Sequence, residues 1–237
     1  MRKNDEGYFA GMQKLSLIDY PGLVACTLFV SGCNFRCPFC QNPTLALGLE
    51  KNRISKKEVL SLLKKRAGLM EGVCISGGEP AIHEWLLDFL KDVKNLGYRI
   101  KIDTNGSKPE FLLKLINKKI VDYIAMDIKA PLDKYDLAAG VAVDIEAVKK
   151  SIAILLERKV DYEFRTTVVP TIIDLGDIEK ICKSIKGAEK YFVQQFVNTV
   201  PLLDKRMEKV QPYPKDILEE MASIARKYVK KVEIRSA

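Results

Sequence analysis

Residues 24–40 read VACTLFVSGCNFRCPFC, and the fold turns on the change of character at Ser31. The run 24–30 carries no charge and is rich in β-branched and aromatic side chains, which predicts a strand buried on both faces. Strands of that kind belong to parallel sheets, where crossover helices cover both sides. A loop with three thiols, Cys33, Cys37 and Cys40, follows at once.

Further along the chain, helix and strand patterns alternate. Residues 55–67 predict a helix opened by Ser55 with Glu58 three residues on, a capping box. Residues 73–76 read as a short strand, 84–96 as an amphipathic helix stopped by Gly97, and 99–103 as a strand. Residues 109–118 are helical with Pro109 in the first turn. The alternation continues with a strand at 123–128, a helix at 144–158, extended chain at 162–169, a helix at 175–185, a strand at 190–195, a helix at 214–228 and a strand at 231–234. The class is α/β with a parallel sheet. An open doubly wound sheet and a barrel or partial barrel both satisfy the pattern, and both put functional residues at the carboxyl ends of strands.

At 237 residues with 47% hydrophobic side chains, the chain can bury one sizeable core. A single domain is expected over 1–237, with a core of about 22–196, an N-terminal hairpin at 8–21, a charged connection at 201–214 and a C-terminal helix and strand within 214–235. No apolar run approaches membrane-spanning length, and the first dozen residues lack the apolar stretch of a signal peptide, so a cytoplasmic protein without a membrane partner is expected. The formal charge of +8 is spread over Lys/Glu-rich stretches, which argues for solvated helix faces rather than a nucleic-acid surface. Six cysteines without an export signal argue for metal or catalytic use of some of them.

Three thiolates spaced C-x3-C-x2-C can wrap one metal centre, and soft sulfur suits zinc or an iron-sulfur cluster. Cys26 lies within the preceding strand, about 20 Å upstream of Cys33 at roughly 3.3 Å per residue. Cys74 and Cys182 fall in a strand and on an apolar helix stripe, where cysteine behaves as a small buried hydrophobe. A cubane on this loop would keep one iron open, as catalytic metal sites do. The competing reading is structural zinc with His83 as fourth ligand, and the spacing alone does not decide between them.

Other strand ends carry chemistry as well. Gly77-Gly78-Glu79-Pro80 closes the second core strand, and paired glycines admit close backbone approach. Asp103-Thr104-Asn105-Gly106 ends the third and Met126-Asp127-Ile128-Lys129 the fourth. Carboxylates and a lysine in one mouth are costly to desolvate unless charged ligand groups or a cation meet them.

With Phe39 before its last cysteine, the cysteine loop resembles the signature of the radical S-adenosylmethionine (radical SAM) superfamily. That resemblance implies a partial (β/α)6 TIM-like barrel of parallel strands, with a [4Fe-4S] cluster on Cys33, Cys37 and Cys40. The open iron would chelate S-adenosylmethionine, whose reductive cleavage yields methionine and a 5′-deoxyadenosyl radical. Gly77, Gly78 and Glu79 resemble the family's GGE motif, whose backbone binds the methionine amino group. The DTNG and MDIK segments look like those of enzymes that activate glycyl-radical proteins. This implies S-adenosylmethionine contacts from Phe39, Asn105, Asp127 and Lys129, and a monovalent cation at Asp103, Thr104, Met126 and Asp127. Arg165 resembles an inward arginine that meets the substrate carboxylate. A histidine often near the sixth strand is missing here, and Gln195 is the expected substitute toward the nucleoside.

Residues 15–40 are similar to activating proteins of anaerobic ribonucleoside-triphosphate reductase. The implied partners are a glycyl-radical enzyme, with that reductase first, and a low-potential electron donor such as flavodoxin or ferredoxin. The implied reaction is removal of a hydrogen atom from a glycine α-carbon of the partner. A pyruvate formate-lyase-type activase, a compact deazapurine-type enzyme acting on a small molecule or RNA, and a metal or electron-transfer module without turnover are the other readings.

Overall fold

A computed structural model describes residues 7–235, and their contacts group them into two compact units. The first unit takes residues up to 34, 44–104 and 110–124; the second takes 35–43, 105–109 and 125 onward.

In the first unit, β1 (Tyr8–Phe9), β2 (Gly11–Ser16), β3 (Ala25–Val30), α1 (Pro43–Leu47), β4 (Ile54–Ser55), α2 (Lys56–Lys65), β5 (Gly72–Gly77), α3 (Leu86–Asn95), β6 (Arg99–Thr104) and α4 (Pro109–Asn117) follow in order, with Pro43 and Pro109 just outside its bounds. The strands lie β2-β3-β5-β6. β3, β5 and β6 are parallel, with Ala25 opposite Gly72 and Gly72 opposite Arg99, so the charge-free run at 24–30 is an inner strand as read. Leu28, Ile75 and Ile100 are fully buried in this sheet, and Leu63 and Leu90 are buried on the helices.

The segment 8–21 does not pair with itself as the expected hairpin would. β1 pairs antiparallel with β4, which lies far along the chain, and β2 pairs antiparallel with β3 as the edge of the main sheet. Gly7 explains part of this: a Cβ there would lie 2.0 Å from the Trp85 ring, so the chain enters flat against α3, and Phe9 packs edge-on to Trp85 at 5.2 Å.

β7 (Tyr123–Asp127) begins in the first unit and ends in the second. Then come α5 (Tyr135–Ala139), α6 (Ile145–Leu156), β8 (Asp161–Val168), α7 (Leu175–Ser184), β9 (Lys190–Gln195), α8 (Lys215–Ala225) and β10 (Lys231–Arg235). The strands lie β7-β8-β9-β10, with β8-β9 and β9-β10 parallel, and α8 packs on α7, β9 and β10. Each unit therefore shows the α/β class and parallel strands expected.

The helix starts follow their caps. The Ser55 hydroxyl accepts from the Glu58 amide at 3.2 Å and the Glu58 carboxylate accepts from the Ser55 amide at 2.8 Å, the expected capping box. Asp174 and Asp177 do the same for α7. Gly97 follows α3 with φ +87°, the left-handed conformation its position required. α3 starts later than its pattern suggested, because Pro80–Ile82 form a separate 3-10 turn ending at His83. No described helix is long and apolar enough to cross a membrane.

Candidate functional site

The six cysteines separate by environment. Cys26, Cys74 and Cys182 are fully buried, while Cys33 and Cys40 are part-exposed and Cys37 lies just beneath the surface. Burial pushes the Cys26 thiol up to about 11, with Arg66 pulling weakly the other way, and burial pushes Cys182 up to about 12. Thiols held protonated so far above neutrality are poor ligands, because metals bind the thiolate. The loop cysteines are thus the ones chemically placed for metal, and no two of the six are joined in a disulfide.

In the second unit the stretch carrying Cys37 and Cys40 is tied by its backbone. The Cys40 amide donates to the Cys37 carbonyl at 3.0 Å, Leu203 to the Cys40 carbonyl at 3.1 Å, Asp204 to the Pro38 carbonyl at 2.9 Å and Arg36 to the Ala139 carbonyl at 2.7 Å. Gly140, at φ +68°, must be glycine: a Cβ would lie 2.1 Å from the Arg36 carbonyl oxygen. Phe39 is buried, and Phe35 packs edge-on to Tyr135 at 6.4 Å. In the first unit, the Cys33 amide donates to the Ala46 carbonyl at 3.1 Å and Gly32 to Leu45 at 2.7 Å, so short α1 braces the loop's beginning.

The glycine pair has a definite steric role. Gly77 sits at φ +107°, and a Cβ on Gly78 would lie 1.9 Å from the Gly32 carbonyl oxygen, a backbone atom that cannot move aside. The Gly78 amide donates to Val30 and the Glu79 amide to Gly32, both at 2.9 Å. Close approach is required as read from the sequence, but the partner in this structure is the chain entering the cysteine loop. The Glu79 carboxylate is buried, accepting from the Ala81 amide at 2.9 Å and the Thr104 hydroxyl at 2.7 Å. It caps the 3-10 turn and holds the end of β6. Asp103 accepts from Ser76 at 3.0 Å and is paired with the buried Lys101 ammonium, which also lies 3.7 Å from the Cys74 sulfur.

In the second unit, the Asn105 carboxamide oxygen accepts from the Ser107 amide at 2.9 Å, an Asx turn. Gly106, at φ +75°, would bring a Cβ to 2.0 Å from the Met126 methyl, and its carbonyl accepts from the buried Ser151 hydroxyl at 2.6 Å. Met126 is therefore a buried packing group here.

The same unit assembles charge at the end of β7. Arg165 Nε donates to Asp127 Oδ1 at 2.7 Å and Lys129 Nζ to Asp127 Oδ2 at 2.9 Å. Burial alone would push the Asp127 carboxyl up; the Arg165 guanidinium and then the Lys129 ammonium override it and hold it well below the usual carboxylate range. Burial would pull Lys129 down, but the charge of Asp127 and then that of Cys37 keep it above its ordinary value. Two cations thus meet at the Asp127 carboxylate.

Gln195 donates from Nε2 to the Tyr213 carbonyl at 2.8 Å, and its buried Oε1 has no hydrogen-bond partner among the described residues. An acceptor so placed asks for a donor. His83 closes the 3-10 turn beside Trp85, ring centroids 5.7 Å apart. Sequence reading missed Tyr135, Gly140, Leu203 and Asp204; only the glycine gave a local signal, and it resembled an ordinary helix stop.

Residues 27–185 match the radical SAM superfamily, and the chain belongs to that superfamily, whose enzymes use S-adenosylmethionine with a [4Fe-4S] cluster. Within it the chain falls among the glycyl-radical enzyme activating enzymes. A protein of Methanocaldococcus jannaschii named as a candidate glycyl-radical enzyme activating enzyme is 36% identical over 234 residues, 96% of this chain and 95% of that one. The pyruvate formate-lyase-activating enzyme of Clostridium pasteurianum is 25% identical over 244 residues, 90% of this chain and 99% of the other. In fold, a domain of pyruvate-formate lyase-activating enzyme from Bacteroides vulgatus matches with a TM-score of 0.55 at 20% identity, over 69% of this chain and 98% of that one.

Proposed function

We propose that this enzyme is an activase which holds a [4Fe-4S] cluster on Cys33, Cys37 and Cys40, cleaves S-adenosylmethionine reductively and removes a glycine hydrogen atom from a partner. The partner proposed first is anaerobic ribonucleoside-triphosphate reductase, on the likeness of residues 15–40 to its activating proteins. The observation that carries the reading is the whole-length similarity to a candidate glycyl-radical enzyme activating enzyme. The division of the thiols supports the ligand assignment, since three are sealed and three lie on one loop.

Held by Cys33, Cys37 and Cys40, the cluster would supply the electron that breaks a sulfur–carbon bond of the sulfonium. The chain's own groups bind and orient. Positively charged Lys129 and Arg165, gathered at Asp127, suit a carboxylate of the cosubstrate. An ammonium is a donor and needs acceptors, so the carbonyls of the Gly77–Gly78 turn are the matching groups, its Gly78 and Glu79 amides being used within the fold. The Gln195 Oε1 suits a ribose hydroxyl. The cation reading is not carried into this proposal: Lys101 already meets Asp103, and Arg165 and Lys129 meet Asp127.

The test is anaerobic reconstitution followed by dithionite and S-adenosylmethionine. The expected product is 5′-deoxyadenosine, and with the reductase added a glycyl doublet in electron paramagnetic resonance. Cleavage without a doublet would remove the reductase as partner and leave the superfamily chemistry in place.

A further inference from the structure

In the second unit, one face of β8 and β9 changes character along the strands. Glu163, Arg165 and Thr167 share it on β8, because alternate residues of a strand point the same way. On β9, Phe192 stands opposite Arg165 and Gln194 opposite Thr167 in register. Glu163 and Phe192 are buried, whereas Arg165, Thr167 and Gln194 are part-exposed, so the face opens toward the carboxyl ends of the strands. The Ile128 amide donates to the Arg165 carbonyl at 2.7 Å, which sets Arg165 level with the end of β7. Thr167 and Gln194 stand one pleat higher, about 7 Å nearer the open end at roughly 3.3 Å per residue.

The Gln194 side chain is part-exposed as a whole, yet its Oε1 is buried and has no hydrogen-bond partner among the described residues. Arg235, opposite it on β10, is directed elsewhere: its guanidinium forks onto Glu163 at 2.9 and 3.2 Å and stacks on the Phe192 ring. A buried carbonyl oxygen without a donor costs free energy. Turning the carboxamide toward the open side relieves that cost and offers the oxygen to an incoming donor.

We infer that Gln194, with the Thr167 hydroxyl beside it, is a subsite for the main chain of the partner protein: Oε1 accepts a peptide N–H next to the target glycine, and Thr167 donates to the C=O of the same residue. The inference rests on the proposed activase reading. Glycine has no side chain to be recognised, so the peptide groups around it must hold it in place. An extended residue presents its N–H and C=O along one edge, and neighbouring strands about 4.8 Å apart set Gln194 and Thr167 side by side as acceptor and donor. Main-chain recognition of this kind supplies affinity without reading side chains.

The experiment follows the glycyl doublet against reductase concentration, with reconstituted holoenzyme, S-adenosylmethionine and dithionite. Gln194→Leu is expected to raise KM for the reductase about tenfold, the scale of one hydrogen bond, with kcat and the equilibrium affinity for S-adenosylmethionine retained. Its urea midpoint should match or exceed the parent's, because an unsatisfied buried acceptor has been replaced by an apolar group of similar shape. Thr167→Val should raise KM in the same direction, and Thr167→Ser should keep the parent's value. A parental KM in Gln194→Leu overturns the inference. So does a loss of S-adenosylmethionine affinity, which assigns the acceptor to the cosubstrate, or a lowered urea midpoint, which makes the carboxamide structural. If the parent enzyme itself raises no doublet on the reductase, the proposed partner has failed and the same titration on pyruvate formate-lyase decides the role of Gln194. No doublet on either protein overturns the activase reading and this inference with it.

Discussion

In the first unit the Glu79 carboxylate, 2% exposed, accepts from one backbone amide and one hydroxyl, and Asp103 is answered by a buried lysine. In the second, the Asp127 side chain is 30% exposed and two cations converge on it. Both regions stem from polar residues at strand ends, yet the first sets its carboxylates against a backbone amide, hydroxyls and a buried lysine, and the second gathers two cations on one part-exposed carboxylate. The difference teaches how to divide structural from ligand-directed polarity: a buried carboxylate bonded to backbone holds that backbone in place, whereas cations gathered at a part-exposed carboxylate lie where a charged ligand can meet them. The GGEP and DTNG segments then act mainly through their backbone shape, and the MDIK segment with Arg165 acts through its side chains.

The largest way to probe this contrast is Cys37→Ala, which is expected to abolish the cluster absorption and all 5′-deoxyadenosine formation; persistence of cleavage would refute the ligand assignment. Next comes Gly78→Ala. With backbone 1.9 Å from the new Cβ, the turn must rebuild, and a stability loss of about 3 kcal/mol or more is expected in urea unfolding, the range of overpacking and strain together. A loss under about 1 kcal/mol would show that the turn is looser than its contacts imply. Asp127→Ala removes the carboxylate that orients Arg165 and Lys129, so it should cost about 1–3 kcal/mol in unfolding and weaken S-adenosylmethionine at least about tenfold, with the ultraviolet-visible cluster spectrum intact. If the cluster band disappears, the second region is structural too and the division fails.

The smallest effect concerns the sealed thiols. Their folded pKa values are raised, to about 11 for Cys26 and about 12 for Cys182, so the folded chain keeps protons that the unfolded chain gives up above about pH 9. Their contribution is therefore whole below about pH 9 and is lost as pH climbs toward 11. By pH 10 the loss is on the order of 1 kcal/mol for each thiol. Unfolding curves between pH 8 and 10.5 measure it, and the alanine variant of each cysteine should flatten the slope. An unchanged slope in both variants would mean that neither thiol is as sealed as its burial indicates.

Much of this was legible in local signals. Ser55 with Glu58, Gly97 and the charge-free run before the cysteines each carry their instruction within a few residues, so caps, stops and inner strands could be placed in advance. The N-terminal segment was misjudged because β1 pairs with Ile54–Ser55, a contact between distant positions that no periodicity encodes. α1 and α5, five residues each, are too short to show a helical repeat. At the site, the residue types were readable but their partners were not. Gly78 announced close approach without naming Gly32, and Asp127 announced a charged ligand without revealing that Arg165, 38 positions away, already meets it.

The turn around Cys37 and Cys40 is tied to two other parts of the second unit: its Arg36 amide donates to the Ala139 carbonyl, and the Leu203 and Asp204 amides donate to the Cys40 and Pro38 carbonyls. Peptide groups thus hold that turn to the rest of the unit, unlike small zinc modules whose folding waits for the ion. A substitution that displaces Ala139, Leu203 or Asp204 would then reach the cysteines through their backbone, although it alters no sulfur.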